Sequence, residues 1–218
     1  MVNVPENVES AFNSSLNRVW SLAKEDTFEH LILLSKYSGK IIGEATGDRE
    51  KVELPKVTFD EREVLLVHSH PNIETGVSLP DMLSSLGGEY PVYAITPSKS
   101  VTWVDGKRFG ATALMGPEFF TSVLSTIFKN FHKKFIKLAG WPNDGLLNAE
   151  PGTNMDHYGI LTHLASLTAS TGPNPLMNYR FHFTPEIEAR MDEASAIIGL
   201  PPCRSFSGWR NAPEVEVA

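Results

Sequence analysis

The feature that most constrains this chain is a short apolar run that leads directly into two histidines. In the segment EVLLVHSHP, the apolar residues 64–67 are followed by His68, Ser69, His70 and Pro71. A run of this length, made of leucine and a β-branched residue, predicts a strand buried on both faces. Side chains at positions i and i+2 of an extended segment point to the same face. His68 and His70 can therefore direct both imidazoles at one point at the end of this strand.

A helix predicted from the next segment, SLPDMLSSLGG, adds a hydroxyl and a carboxylate. Ser78 is a favoured N-cap residue, Asp81 falls in the first turn, and Gly87-Gly88 ends the helical pattern. A carboxylate at this position can meet the two imidazoles and form a set of two nitrogens and one oxygen. Three such ligands with a fourth position open to water are typical of catalytic zinc. We therefore predict a Zn²⁺ site formed by His68, His70 and Asp81, with the Ser78 hydroxyl near enough to bind a developing oxyanion.

The spacing of these residues resembles a known signature. His68-Ser69-His70-Pro71, six residues, Ser78, two residues and Asp81 follow the pattern H-x-H-P-x6-S-x-x-D. This pattern is similar to the motif of the JAMM (JAB or MPN-plus) zinc metalloproteases, and the resemblance over residues 6–138 is nearest to the RadC-like, prokaryotic JAB branch. It implies an α/β (α+β) fold of the JAB/MPN, cytidine-deaminase-like type, with a central mixed β-sheet flanked by helices and a helical or irregular C-terminal extension.

The resemblance also implies a glutamate on an early strand that accepts a proton from the zinc-bound water. Glu29 is the best match, because it opens the apolar run in TFEHLILLSKYSGKII, a segment that predicts a β-hairpin. Glu44 on the second arm of the hairpin is the alternative. In the implied mechanism Glu29 passes the proton to the leaving amine, while Ser78 and the metal stabilise the tetrahedral oxyanion.

The implied activity is hydrolysis of an amide bond at the C-terminus of a ubiquitin-like modifier or a related tag, so the expected partner is a protein or peptide substrate. Residues 46–62 are the candidate for a modest insertion. A RadC-like protein associated with DNA metabolism and a non-catalytic assembly module on the same fold are the alternatives. A nucleic-acid partner is not favoured, since 19 Lys and Arg against 26 Asp and Glu give a net charge of −7.

Composition predicts a cytoplasmic, disulfide-free protein. The single cysteine, Cys203, excludes an intramolecular disulfide and a cysteine-rich zinc site and is expected to be an inert thiol. The sequence shows no apolar run near the roughly 20 residues that a membrane span requires. The N-terminal segment MVNVPENVESAF has neither the basic nor the apolar part of a secretory signal.

The sequence predicts a metalloprotease domain over residues 1–140 and an extension over 141–218, mostly loop with short helices near 157–170 and 185–198. The extension contains apolar residues that need burial, so we expect residues 155–200 to fold back on the domain or to form a homo-oligomer or partner interface.

The strongest helical pattern lies directly before the extension, in the segment PEFFTSVLSTIFKNFHKKFIKLAG. Its predicted apolar stripe consists of Phe120, Val123, Leu124, Ile127, Phe131, Phe135 and Leu138. The lysines of this helix predict a solvated face. The remaining histidines, His157 and His163 among them, are expected to be ordinary polar or interface residues.

Overall fold

The computed structural model of the chain describes residues 6–49, 51–60, 63–72, 76–88, 90–106, 115–141, 155–171 and 175–202. Cys203 and most of the loop before residue 155 lie outside these ranges. The elements, in chain order, are α1 (Glu6–Asp26), β1 (His30–Ser35), β2 (Ile41–Thr46), β3 (Val64–Ser69), α2 (Leu79–Gly88), β4 (Pro91–Ile95), β5 (Val101–Asp105), α3 (Pro117–Ala139), α4 (Met155–Ser170), β6 (Asn178–His182) and α5 (Pro185–Ile197).

The strands form one mixed sheet in the order β2-β1-β3-β4-β5-β6. Only the β3–β4 pair is parallel, and the other four pairs are antiparallel. All six residues of β3 are buried, as the apolar run predicted. The predicted α/β class with a mixed sheet flanked by helices is confirmed at this level.

The apolar residues of β1 and β3 alternate between two cores, one on each face of the sheet. Leu33 and Leu66 face the larger core, to which α2, α3, α4 and α5 contribute. Ile32 and Val67 face the smaller core, which α1 closes with Leu16 and its neighbours. Each fully buried side chain of this size contributes about 1.5–3 kcal/mol through the area it removes from water. Helices on both faces therefore hold the β3 end in a fixed position.

Helix α3 packs against the larger core through most of its predicted apolar stripe. Phe120, Leu124, Phe131 and Phe135 are buried, and Gly140 ends the helix with a left-handed φ of 67°. The inclusion of Leu138 in the stripe is wrong, since its side chain is 58% exposed in the last turn. The helix ends just beyond this residue, where the chain turns back to stack Trp141 on the Phe135 ring.

The described residues between 155 and 202 fold back onto the rest of the chain, as the sequence predicted for residues 155–200. Strand β6, which the sequence analysis did not predict, pairs with β5 from Val101↔His182 to Asp105↔Asn178. Helices α4 and α5 bury Leu164 and Met191 in the larger core. The two sides of residue 140 therefore share one sheet and one core.

His163 of α4 is a core residue. It is 1% exposed, its Nδ1 lies 2.8 Å from the Tyr179 hydroxyl, and burial lowers its pKa to about 3. The imidazole is therefore neutral. Among the described helices, none combines the length and the apolar character needed to cross a bilayer.

Candidate metal centre

The predicted metal ligands come together at the end of β3. His68 lies near the end of the strand, His70 follows one residue beyond it, and their Nε2 atoms are 2.9 Å apart. Asp81 of α2 completes the group, with Oδ1 3.2 Å from Nε2 of His68 and Oδ2 3.2 Å from Nε2 of His70. Within the part of the chain that the structure describes, these three form the one cluster whose ligand atoms could hold a metal ion.

Backbone carbonyl groups fix the orientation of both imidazoles. Nδ1 of His68 lies 3.0 Å from the carbonyl oxygen of Tyr93 in β4, and Nδ1 of His70 lies 2.7 Å from that of Gly76. A carbonyl oxygen only accepts hydrogen bonds, so each Nδ1 carries a proton and donates it. Each Nε2 then presents a lone pair to the other and to Asp81. Metal-binding histidines are commonly oriented in this way.

The two Nε2 lone pairs and the Asp81 carboxylate lie only 2.9–3.2 Å apart, and all three are hydrogen-bond acceptors. They would repel one another unless a proton or a metal ion placed a positive charge between them. Burial lowers the pKa of His70, but the charge and hydrogen bond of Asp81, together with the charge of Glu29, outweigh it and raise that pKa to about 9. Burial likewise opposes ionisation of Asp81, yet the two imidazoles hold its pKa well below the ordinary value. A divalent cation satisfies the same lone pairs, and two imidazoles with one carboxylate suit zinc.

Ser78 caps helix α2 and orients Asp81. Its backbone N–H and its Oγ–H donate to Oδ2 of Asp81 at 2.7 Å and 2.6 Å, and the N–H of Asp81 lies 3.3 Å from Oγ of Ser78. This reciprocal arrangement follows the logic of a capping box, and the predicted N-cap is confirmed. The hydroxyl proton of Ser78 is directed at Asp81, so its role at an oxyanion stays a prediction.

The structure brings Glu29, and not Glu44, to the metal centre. The antiparallel register Leu31↔His68, continued past the start of β1, brings residue 29 opposite residue 70. The buried Oε1 of Glu29 lies 3.9 Å from Nε2 of His70. Burial raises the pKa of Glu29, while the imidazoles act in the opposite direction. Glu44 is 40% exposed on β2, where both carboxylate oxygens accept hydrogen bonds from Arg18 at 2.7 Å.

Two supports of the site were not found from the sequence. The Tyr158 hydroxyl of α4 accepts a hydrogen bond from the N–H of Leu79, 3.1 Å away, at the start of α2. Gly76 has a φ of 92°, and a Cβ at this residue would collide with the Thr102 side chain. A glycine shortly before a predicted N-cap is only weak evidence that the position requires a residue without a Cβ. The contact between Tyr158 and Leu79 cannot be predicted from the local sequence.

We expect Gly76→Ala to weaken zinc binding about 10- to 100-fold, the usual cost of losing an outer partner of a ligating histidine. The added methyl group must displace either Thr102 or the carbonyl that holds His70. Competition against a chromogenic chelator measures the affinity. Gly87→Ala is the matched control, because a Cβ there meets nothing within 4 Å. Equal zinc affinity in the two variants would contradict this role of Gly76.

The stability of the zinc-free protein should fall as the pH rises from about 6.5 to 9. The pKa of His70 is raised from 6.5 to about 9 on folding, so the protonated form is favoured in the folded state. Its stabilisation is complete below pH 6.5 and is lost as the pH rises through 9. Urea unfolding of chelator-treated protein across this range measures the change. If the unfolding free energy of His70→Asn depended on pH as steeply as that of the unchanged chain, the pH dependence could not be assigned to His70.

No protein-family model, curated protein or solved structure matches the chain. The fold and the site define a mixed α/β protein with a candidate His-His-Asp metal centre at the end of a central strand. A buried glutamate lies beside this centre. What the protein does must be inferred from these residues and from the motif they form.

Proposed function

We propose that the chain is a zinc-dependent peptidase or isopeptidase of the JAMM type, which hydrolyses an amide bond at the C-terminus of a ubiquitin-like modifier or a related tag. The observation that carries the proposal is the convergence of His68, His70 and Asp81 with the buried Glu29 at their edge. Glu29 lies on the side of the Nε2 atom that would bind the metal, where a carboxylate can reach a metal-bound water. A hydrolase needs such a group to accept and return a proton.

The architecture supports the same proposal. A β1–β2 hairpin precedes β3, the histidines end β3, and a capped helix carries Ser78 and Asp81 before a parallel return to β4. This order is the one that the resemblance to the JAB/MPN fold implies. The finer assignment to that fold is part of the proposal.

A zinc ion bound by the three ligands would supply Lewis acidity and a water activated for attack at neutral pH. The chain itself supplies orientation and proton transfer. The carbonyl groups of Tyr93 and Gly76 hold both Nε2 lone pairs toward the ligand position. Burial raises the pKa of Glu29, and this brings the carboxylate closer to the pH at which it can accept a proton and later release it to the leaving amine.

Ser78→Ala should retain zinc and lower turnover. The substitution removes the Oγ–H bond to Asp81 but leaves the backbone N–H bond in place, so the carboxylate keeps one of its two local donors. Loss of one oxyanion donor typically lowers kcat by about 10²- to 10³-fold. An effect on KM or zinc affinity with an unchanged kcat would show that the serine only supports the helix.

The proposal is tested by metal analysis together with incubation against a panel of ubiquitin-like fusions. We expect one equivalent of zinc per chain and cleavage that a chelator abolishes and added zinc restores. His68→Ala and His70→Ala should lose both zinc and cleavage. The control His182→Ala, at an exposed position of β6, should lose neither.

Two other outcomes of this experiment would each reject a part of the proposal. Stoichiometric zinc without cleavage of any fusion would indicate an assembly module. Cleavage that survives loss of zinc would exclude the metal mechanism.

A further inference from the structure

A cavity adjoins the metal centre on the α1 side of His70 and is not used by the mechanism above. Its volume is about 160 Å³. Trp20, Lys24 and Thr27 form the wall contributed by α1 and the residue after it, while Pro71 and Thr96 belong to the opposite wall. A dry cavity of about 150 Å³ accommodates benzene, so this space suits one small side chain or terminal group.

The position of the cavity relates it to the cleavage site. His70 is both a predicted metal ligand and a wall of the cavity, and Thr27 precedes Glu29 by two residues. Because His70 belongs to both places, a substrate with its scissile amide at the metal would have a nearby residue beside this cavity.

The cavity has a positive charge at its edge, although the protein is acidic overall. The Lys24 ammonium lies 4.6 Å and the Lys99 ammonium 4.4 Å from the centroid of the Trp20 ring, which itself lines the cavity. The chain as a whole has a net charge of −7. Two ammonium groups beside one aromatic ring complement a carboxylate.

The backbone is strained at one residue that lines the cavity and at one whose side chain contacts Trp20. Among the described residues, Thr27 and Lys99 are the non-glycine residues with positive φ, at 63° and 64°. Thr27 directly follows α1, and Lys99 lies in the β4–β5 turn, where its N–H donates to the carbonyl of Thr96. Glycine is preferred at such positions, and strained residues concentrate at binding sites. Lys99 therefore keeps a side chain where glycine is preferred, and its ammonium group contacts the Trp20 ring.

We propose that this cavity binds a carboxylate of the peptide substrate close to the scissile amide. The inference rests on the proposed function for the location of the amide. Lys24 and Lys99 pair with the carboxylate, and Trp20 packs against the carbon atoms that bear it. The carboxylate belongs either to an acidic side chain or to a free C-terminus.

Three short peptides separate these possibilities: acetyl-Gly-Glu-Gly-amide, its Gln counterpart, and acetyl-Gly-Gln-Gly with a free carboxyl end. Binding to the full zinc-loaded chain is followed by the NMR signal of the Trp20 indole N–H, assigned with Trp20→Phe. We expect at least one of the two anionic peptides to bind tenfold or more tightly than the neutral one. The tighter of the two identifies the source of the carboxylate.

Lys24→Gln and Lys99→Gly should each lower this preference at least threefold, and Lys133→Gln, exposed on α3, should not. The melting temperature of the Lys99→Gly variant should be no lower than that of the unchanged protein, because glycine relieves the strained turn. If the lysine were retained only for stability, the variant would have a lower melting temperature. Equal binding of the three peptides, or equal effects of all three substitutions, would overturn the inference. The indole signal requires no turnover, so an inactive protein can pass this test and an active zinc hydrolase can fail it.

Discussion

Glu29→Gln should leave zinc binding unchanged and lower kcat/KM by about 10²- to 10⁴-fold, the range that general acid–base catalysis contributes. Glutamine has the same shape, and the backbone contacts of residue 29 with Gly47 and Asp48 do not depend on the side chain. The carboxylate at 3.9 Å from His70 would become an amide that cannot accept the proton. Zinc content and steady-state kinetics with a cleaved fusion protein measure the two effects.

Glu44→Gln is the matched control. Glu44 shares the hairpin with Glu29, but its exposed pair with Arg18 contributes only about 0–1 kcal/mol. Its substitution should therefore leave kcat/KM within about twofold. An active Glu29→Gln together with an inactive Glu44→Gln would reverse the assignment of the base.

Ending the chain after Gly140 should abolish stable folding. The truncation removes β6 from the sheet edge together with buried side chains of the larger core, including Leu161, Leu164 and Tyr179, and it exposes the core residues that these side chains cover. At about 1.5–3 kcal/mol for each large buried side chain, these three alone contribute about 4.5–9 kcal/mol, which is comparable with the typical 5–15 kcal/mol stability of a domain. Soluble yield, circular dichroism and thermal melting measure the result.

Two substitutions test the same claim without removing a segment. Leu164→Ala should cost about 2–5 kcal/mol of unfolding free energy, because Leu164 is fully buried. Leu138→Ala, at a side chain that is 58% exposed, should change it by less than about 0.5 kcal/mol. A soluble, monomeric and equally stable truncated protein would show instead that the segment is a dispensable tether.

Local patterns were sufficient to predict most of the residues of the candidate metal centre. An i, i+2 histidine pair at the end of a buried strand shares a face whatever the rest of the chain does. Ser78 and Asp81 lie one helical turn apart, so the cap that joins them is also a local feature. These four residues were therefore predictable from spacing alone.

Contacts between distant segments could not be predicted in this way. Glu29 and Glu44 both lie in the hairpin region, and only the pairing of β1 with β3 and the position of Arg18 distinguish them. Tyr158 contacts Leu79 across 79 residues of sequence. The alternating pattern of NYRFH was present for β6, but a five-residue strand becomes evident only with its partner β5.

The central claim is that His68, His70 and Asp81 hold one zinc ion, and anomalous diffraction at the zinc edge from crystals of zinc-saturated protein tests it most directly. The account predicts a single strong peak about 2.0–2.2 Å from both Nε2 atoms and from a carboxylate oxygen of Asp81. The absence of a peak between these residues, or an occupied site formed by other side chains, would contradict it.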